Sequence, residues 1–286
     1  VRENPWLDRR VICFAHQGGA RENPSSTLHA ITEAMAHGAT AIELDVHATA
    51  DGHLVVSHDP TLDRTTNITG EIVSHTLAEL SGLDNAYWFV PGEDVQHDRS
   101  PADYPMRGRA PADRRYGIAT LSEVFDVTEG IPLNLDIKRT TPDVAGYERA
   151  LADLIRERGR TEDVIVASFI DAATDRFKEY APEIATSAGT LAVAEFYRAI
   201  HAGDAPPDSL QRHLALQVPA RYHDILVVDE AFVNAAHANG FAVHPWTVND
   251  REEMGRLCDV GVDGIISDVP SVLAHVLEER GLTWRR

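Results

Sequence analysis

The chain has 286 residues, 43% of them hydrophobic and 25% charged, enough to bury a sizeable core without disulfides or a structural metal. Its 26 basic and 45 acidic residues leave a net charge of −19. That balance excludes a basic footprint on nucleic acid and disfavours broad docking on anionic membranes, leaving at most transient membrane contact. The two cysteines, Cys13 and Cys258, are set in apolar surroundings and read as buried small side chains. No apolar run approaches the ~18 residues of a membrane span.

Short apolar runs alternate with helix-like stretches along the chain. Strands are expected at Val11–Ala15, Ala41–Val46, Leu133–Ile137, Val164–Phe169, Ile184–Ser187, Ala215–Val218, Ala242–Trp246 and Gly264–Ser267. Helices are expected at Thr27–His37, Pro142–Arg158, Asp171–Tyr180, Val193–Ala202, Asp229–Asn239, Asp250–Val260 and Val269–Arg280, several ending at a glycine such as Gly38 or Gly240. Eight strands in one strand–helix series predict an α/β fold, a (β/α)8 TIM barrel, as one domain over residues 1–286. Only about 84–117 breaks the rhythm. It is rich in Pro, Gly, Asp and Arg with Tyr87, Trp88, Phe89 and Tyr104 interleaved, and reads as an insertion over the barrel mouth.

In Ala41–His47 the alternation puts Glu43, Asp45 and His47 on one face and Ile42, Leu44 and Val46 on the other. Leu133–Lys138 repeats the pattern, with Asn134, Asp136 and Lys138 sharing a face. Two carboxylates about 7 Å apart in a barrel lumen need a compensating cation or proton. Three from two strands form a hard oxygen site suited to one divalent cation, Mg²⁺ or Ca²⁺. A salt-bridged polar layer centred on Lys138 accounts for the same spacing, which does not choose between them. His16 and His58 end strand-like runs, where barrel enzymes place their chemistry, and paired imidazoles can act as general base and acid. His37, His53, His75 and His97 read as surface residues.

These residues carry a family resemblance. His16-Gln17-Gly18 through Pro24-Ser25-Ser26-Thr27-Leu28, Glu43-Leu44-Asp45-Val46, Val55-Val56-Ser57-His58-Asp59 and Leu62-Asp63-Arg64-Thr65-Thr66 resemble the glycerophosphodiester phosphodiesterase family. Thr120-Leu121-Ser122-Glu123-Val124, Trp246-Thr247-Val248-Asn249-Asp250 and Gly261 to Pro270 continue the likeness. It implies a TIM barrel with a segment inserted after the second strand unit. It also implies catalytic histidines at His16 and His58, metal-binding acids at Glu43, Asp45 and Asp136, and substrate contacts from Lys138, Trp246 and position 17. Three positions depart from the family pattern: Gln17 for the usual arginine, Ser25-Ser26 within the usual Pro-Glu-Asn-Thr, and Asp136 for the usual Glu.

Leu216-Gln217-Val218-Pro219 and Phe232 to His237 resemble the lysophospholipase D-like branch of that family. The expected partner is thus a small-molecule or lysolipid substrate whose headgroup alcohol, of choline type, is released. The alternatives are a sphingomyelinase D-like phospholipase and a non-catalytic binding module. The Tyr87-Trp88-Phe89 cluster either covers an acyl chain or anchors its own loop.

Overall fold

The computed structural model describes residues 3–284. In chain order the regular elements are α1 Pro5–Asp8, β1 Ile12–His16, α2 Leu28–Ala36, β2 Ala41–Ala48, β3 Leu54–Val56, α3 Leu77–Leu80, α4 Leu121–Val127, β4 Leu133–Ile137, α5 Glu148–Glu157, β5 Val164–Ala167, α6 Asp171–Tyr180 and β6 Ala185–Thr186. Then come α7 Thr190–Ala202, β7 Ala215–Pro219, β8 Arg221–Tyr222, β9 Ile225–Leu226, α8 Glu230–Ala238, β10 Ala242–Trp246, α9 Arg251–Val260, β11 Gly264–Ser267 and α10 Pro270–Glu279.

Six parallel strands pair in the order β11-β1-β2-β4-β5-β6, and β7 pairs with β10. Backbone hydrogen bonds close both seams: Leu214 N to Thr186 O at 2.8 Å between β6 and β7, and Asp263 N to Val243 O at 3.0 Å between β10 and β11. The result is a closed α/β barrel, as the strand–helix alternation predicts.

The period-2 pattern sorts each strand. Ile42, Leu44 and Val46 of β2 and Leu133, Leu135 and Ile137 of β4 pack outward under the helices. Ile12, Phe14, Ala41, Ile165 and Ala242 fill the lower lumen around Trp6. Asn4 caps α1 by accepting from Trp6 N at 3.0 Å, and its side-chain amide ties α1 to the barrel floor by donating to Leu214 O at 2.7 Å and Gly240 O at 2.8 Å. With the floor stoppered, the lumen opens at the strands' C-terminal ends.

Some boundaries differ from expectation. The helix expected from Pro142 begins at Glu148, because Glu148 binds back to Thr140 and the buried Tyr147 hydroxyl donates to Val46 O at 2.5 Å. α4 was not among the expected helices, although Thr120 and Glu123 form a capping box at its start. The run Leu54–Val56 is an antiparallel return strand on β2, not a stave of the barrel.

Residues 84–117 contain only short 3₁₀ turns, and an Asp84–Gly117 bridge ties their ends together. Within them, the Arg107 guanidinium lies 4.3 Å from the ring centre of Tyr87, 4.6 Å from Trp88 and 3.8 Å from Tyr104. Trp88 Nε1 donates to Thr66 O at 2.6 Å. These aromatics therefore anchor their own loop.

Candidate active site

His16 is the last residue of β1, and the turn beyond it runs through Gln17, Gly18 and Gly19, with φ of 53°, 81° and 90°. A Cβ on Gly18 would lie 3.0–3.1 Å from Ala30 and Ile31 of α2, so this left-handed, close approach requires glycine. The turn aims the His16 ring across the barrel mouth. Its Nδ1 donates to Asp268 Oδ1 at 2.6 Å, and Asn249 fixes Asp268 by donating to Oδ2 at 2.7 Å. Burial alone would push His16 down, but Glu43, Asp268 and Asp45 outweigh it and raise its pKa to about 9.

β2 and β4 run in register, Glu43 beside Asn134 and Asp45 beside Asp136, so the charged faces of both strands meet in the upper lumen. Burial, reinforced by Asp45, raises the Glu43 carboxyl well above the usual carboxylate range. Asp136 is likewise raised by burial and Asp45, although Lys138 opposes the shift. Lys138 Nζ stands 3.1 Å from Asp45 Oδ1 and 3.5 Å from Asp136 Oδ2. The salt-bridged layer that the spacing left open is therefore present.

It does not satisfy every acceptor. Asp45 Oδ2, Asp136 Oδ1 and Asn134 Oδ1 are buried without hydrogen-bond partners. Orphaned oxygens beside three carboxylates match the chemistry of a hard divalent cation. As the side chains stand, no three His, Cys, Asp or Glu among the described residues form a group that could hold a metal ion, and Lys138 sits between two of the carboxylates.

β3 carries His58 to the other side of the mouth. His58 Nδ1 donates to Asp59 Oδ1 at 2.6 Å, and Arg64 Nε donates to Asp59 Oδ2 at 2.9 Å. The hydrogen bond from His58, together with Arg64, holds the Asp59 carboxyl down at about 2. The two imidazoles face edge-on, centres 6.1 Å apart and planes at 86°. A back route also joins them: Arg64 Nη2 donates to Gln17 Oε1 at 3.3 Å, and Gln17 Nε2 lies 3.2 Å from His16 Nε2.

His16, His58, Glu43, Asp45, Asp136, Lys138 and Trp246 all line one cavity of about 420 Å³ at the barrel mouth. Gln17 does not. It is 4% exposed and its side-chain amide lies against His16. Tyr87, Trp88 and Phe89 are also absent from the lining, which removes them as a cover for an acyl chain.

Residues 16–272 match the Glycerophosphoryl diester phosphodiesterase family. The chain belongs to that family. It is 33% identical over 279 residues to a glycerophosphodiester phosphodiesterase of Caldanaerobacter subterraneus subsp. tengcongensis, covering 95% of this chain and 100% of that one. A Bacillus subtilis glycerophosphodiester phosphodiesterase is 28% identical over 274 residues, covering 93% and 86%. The fold resembles the glycerophosphoryl diester phosphodiesterase domain of an uncharacterised Mycobacterium tuberculosis protein, with TM-score 0.76, 19% identity and coverage of 93% and 98%. It also resembles an Oleispira antarctica phosphodiesterase in complex with the product sn-glycerol-3-phosphate, with TM-score 0.71, 24% identity and coverage of 96% and 99%.

As a phosphodiesterase of this family, the chain shows three site residues that the sequence did not single out. Asp59 and Asp268 orient the two rings, and Arg64 links the two histidine groups. Asp59 was signalled by following His58 directly, and Asp268 by lying just past a strand end. Nothing in the sequence placed Arg64 beside Gln17.

Proposed function

We propose that this phosphodiesterase releases the headgroup alcohol, of choline type, from lysophospholipids or deacylated glycerophosphodiesters by paired-histidine acid–base catalysis. The observation that carries the reading is the facing pair His16 and His58, each held by a carboxylate at 2.6 Å in one cavity with Glu43, Asp45 and Asp136. One imidazole takes the proton from the attacking oxygen, and the other gives a proton to the departing alcohol. Asp268 and Asp59 fix which ring nitrogen faces the substrate and stabilise each ring when it is charged.

Glu43, Asp45 and Asp136 would hold one divalent cation, Mg²⁺ or Ca²⁺, which supplies charge stabilisation to the phosphate oxygens when bound. Lys138 lies in the same wall and gives a cationic contact to the phosphate. Trp246 offers a flat apolar surface beside it. The sn-glycerol-3-phosphate held by the Oleispira antarctica phosphodiesterase supports a glycerol phosphodiester as the substrate class.

The test is headgroup release from glycerophosphocholine, glycerophosphoethanolamine and the matching lysolipids across a panel of divalent ions. Release that requires an ion and is lost in His16→Ala and His58→Ala is expected. Unchanged turnover in both variants, or no hydrolysis with any ion, overturns the reading.

A further inference from the structure

The cavity has two unlike walls. Opposite the carboxylates, β5, β7, β10 and neighbouring segments present Ala167, Phe169, Val193, Pro219 and Trp246, with the polar Gln217 among them. Phe169 packs edge-on against Trp246, ring centres 5.2 Å apart, and the Lys138 ammonium lies 5.6 Å from the Phe169 ring centre. Apolar surface thus begins where the charged wall ends.

It continues past the lip. Phe169 is 51% exposed and Tyr222, which also lines the cavity, is 59% exposed. Ile225 pairs across the β8–β9 ladder with Tyr222, which puts both side chains on one face of the hairpin. Leu191 follows the lining residue Thr190 in the first turn of α7. These four are among six exposed large hydrophobic side chains in the described residues, the others being Ile68 and Tyr180. Exposed apolar residues scattered singly need no explanation, whereas several gathered around one cavity mark a binding surface.

We infer that this wall and lip hold the alkyl chain of a single-chain phosphodiester lipid whose phosphate lies at the histidines. The inference rests on the function proposed above and selects the lysolipid class within it. A deacylated glycerophosphodiester has no apolar part to cover this surface. The charged wall closes the opposite side of the cavity, so the apolar exit serves one chain. The occupant is the substrate's own chain because the apolar surface is continuous with the site that receives the phosphate.

Two measurements separate this inference from the reading beneath it. The first is binding of alkylphosphocholines of increasing chain length, kept below micelle formation and followed by calorimetry. Affinity is expected to rise about two- to fourfold for each methylene that reaches the wall, and the rise is expected to flatten in Leu191→Ser/Ile225→Ser. Affinity independent of chain length overturns the inference whether or not turnover is seen.

The second is the ratio of kcat/KM for lysophosphatidylcholine to that for glycerophosphocholine. A ratio of at least ten, falling towards one in the double variant, supports the chain site. Turnover of glycerophosphocholine with a ratio of one or less overturns the chain site and leaves the headgroup reading standing. Lip-dependent binding of the protein to phosphatidylcholine vesicles, or lip-dependent self-association, with no chain-length effect assigns the lip to a lipid surface or a second copy instead.

Discussion

The two walls of the barrel mouth are built by the same strand alternation and reach opposite chemical results. On β1, β2 and β4 the upper inward positions are His16, Glu43, Asp45, Asn134 and Asp136, the last four buried and His16 nearly so. Across the cavity, β5, β7 and β10 offer Ala167, Pro219 and Trp246, with Gln217 beside them. Packing alone fits the second wall to an apolar ligand. The first wall is costly by itself, since buried like charges raise each other's pKa and leave oxygens unpaired. On the function proposed above, the first wall carries the chemistry and the second holds what the chemistry acts on.

That division predicts graded consequences. His16→Ala and His58→Ala strike the charged wall hardest, each lowering kcat by about 10²–10⁴-fold with KM changed far less, in single-turnover and steady-state assays. Asp45→Asn removes a donor that neither neighbour replaces. Divalent-ion affinity, read by calorimetry, is expected to drop by more than the about 10–100-fold typical of outer-shell changes. A loss of turnover with unaltered ion binding would transfer Asp45 from metal ligand to partner of Lys138 alone.

Arg64→Ala sharpens the comparison from behind the wall. Arg64 lies outside the cavity but touches Asp59 and Gln17. Releasing both histidine groups should reduce kcat by up to about 10²-fold while leaving KM nearly unchanged. Arg64→Lys should recover only part of that, because an ammonium lacks the fork that bonds two partners.

Below the apolar wall, β10 buries His244, whose pKa burial pushes down to about 4. The unfolded chain takes up this proton near pH 6.5, and the folded chain does so only near pH 4. Stability is therefore full above pH 6.5 and falls as pH drops towards 4, by on the order of 2–3 kcal/mol. Chemical denaturation across that window should show His244→Gln with a shallower slope. The smallest effect is expected from Phe169→Ala on the apolar wall: KM for a lysolipid rises a few-fold while kcat holds.

The sequence by itself determined the barrel, because outward apolar and inward polar positions alternate with period 2 and the intervening helices carry their own start and stop signals. It also determined the charged wall, since Glu43, Asp45 and Asp136 must share a lumen once β2 and β4 are parallel neighbours. Tertiary structure decided the rest. Gln17 bridges Arg64 and His16 at the left-handed turn that ends β1. Tyr87, Trp88 and Phe89 serve their own loop because Arg107, 20 residues beyond Tyr87, stacks under the Tyr87 and Trp88 rings and donates to Tyr87 O. The apolar lining brings together Phe169, Tyr222 and Trp246 from three separate segments. Local periodicity records which face a side chain takes, not which distant neighbour closure of the barrel will set beside it.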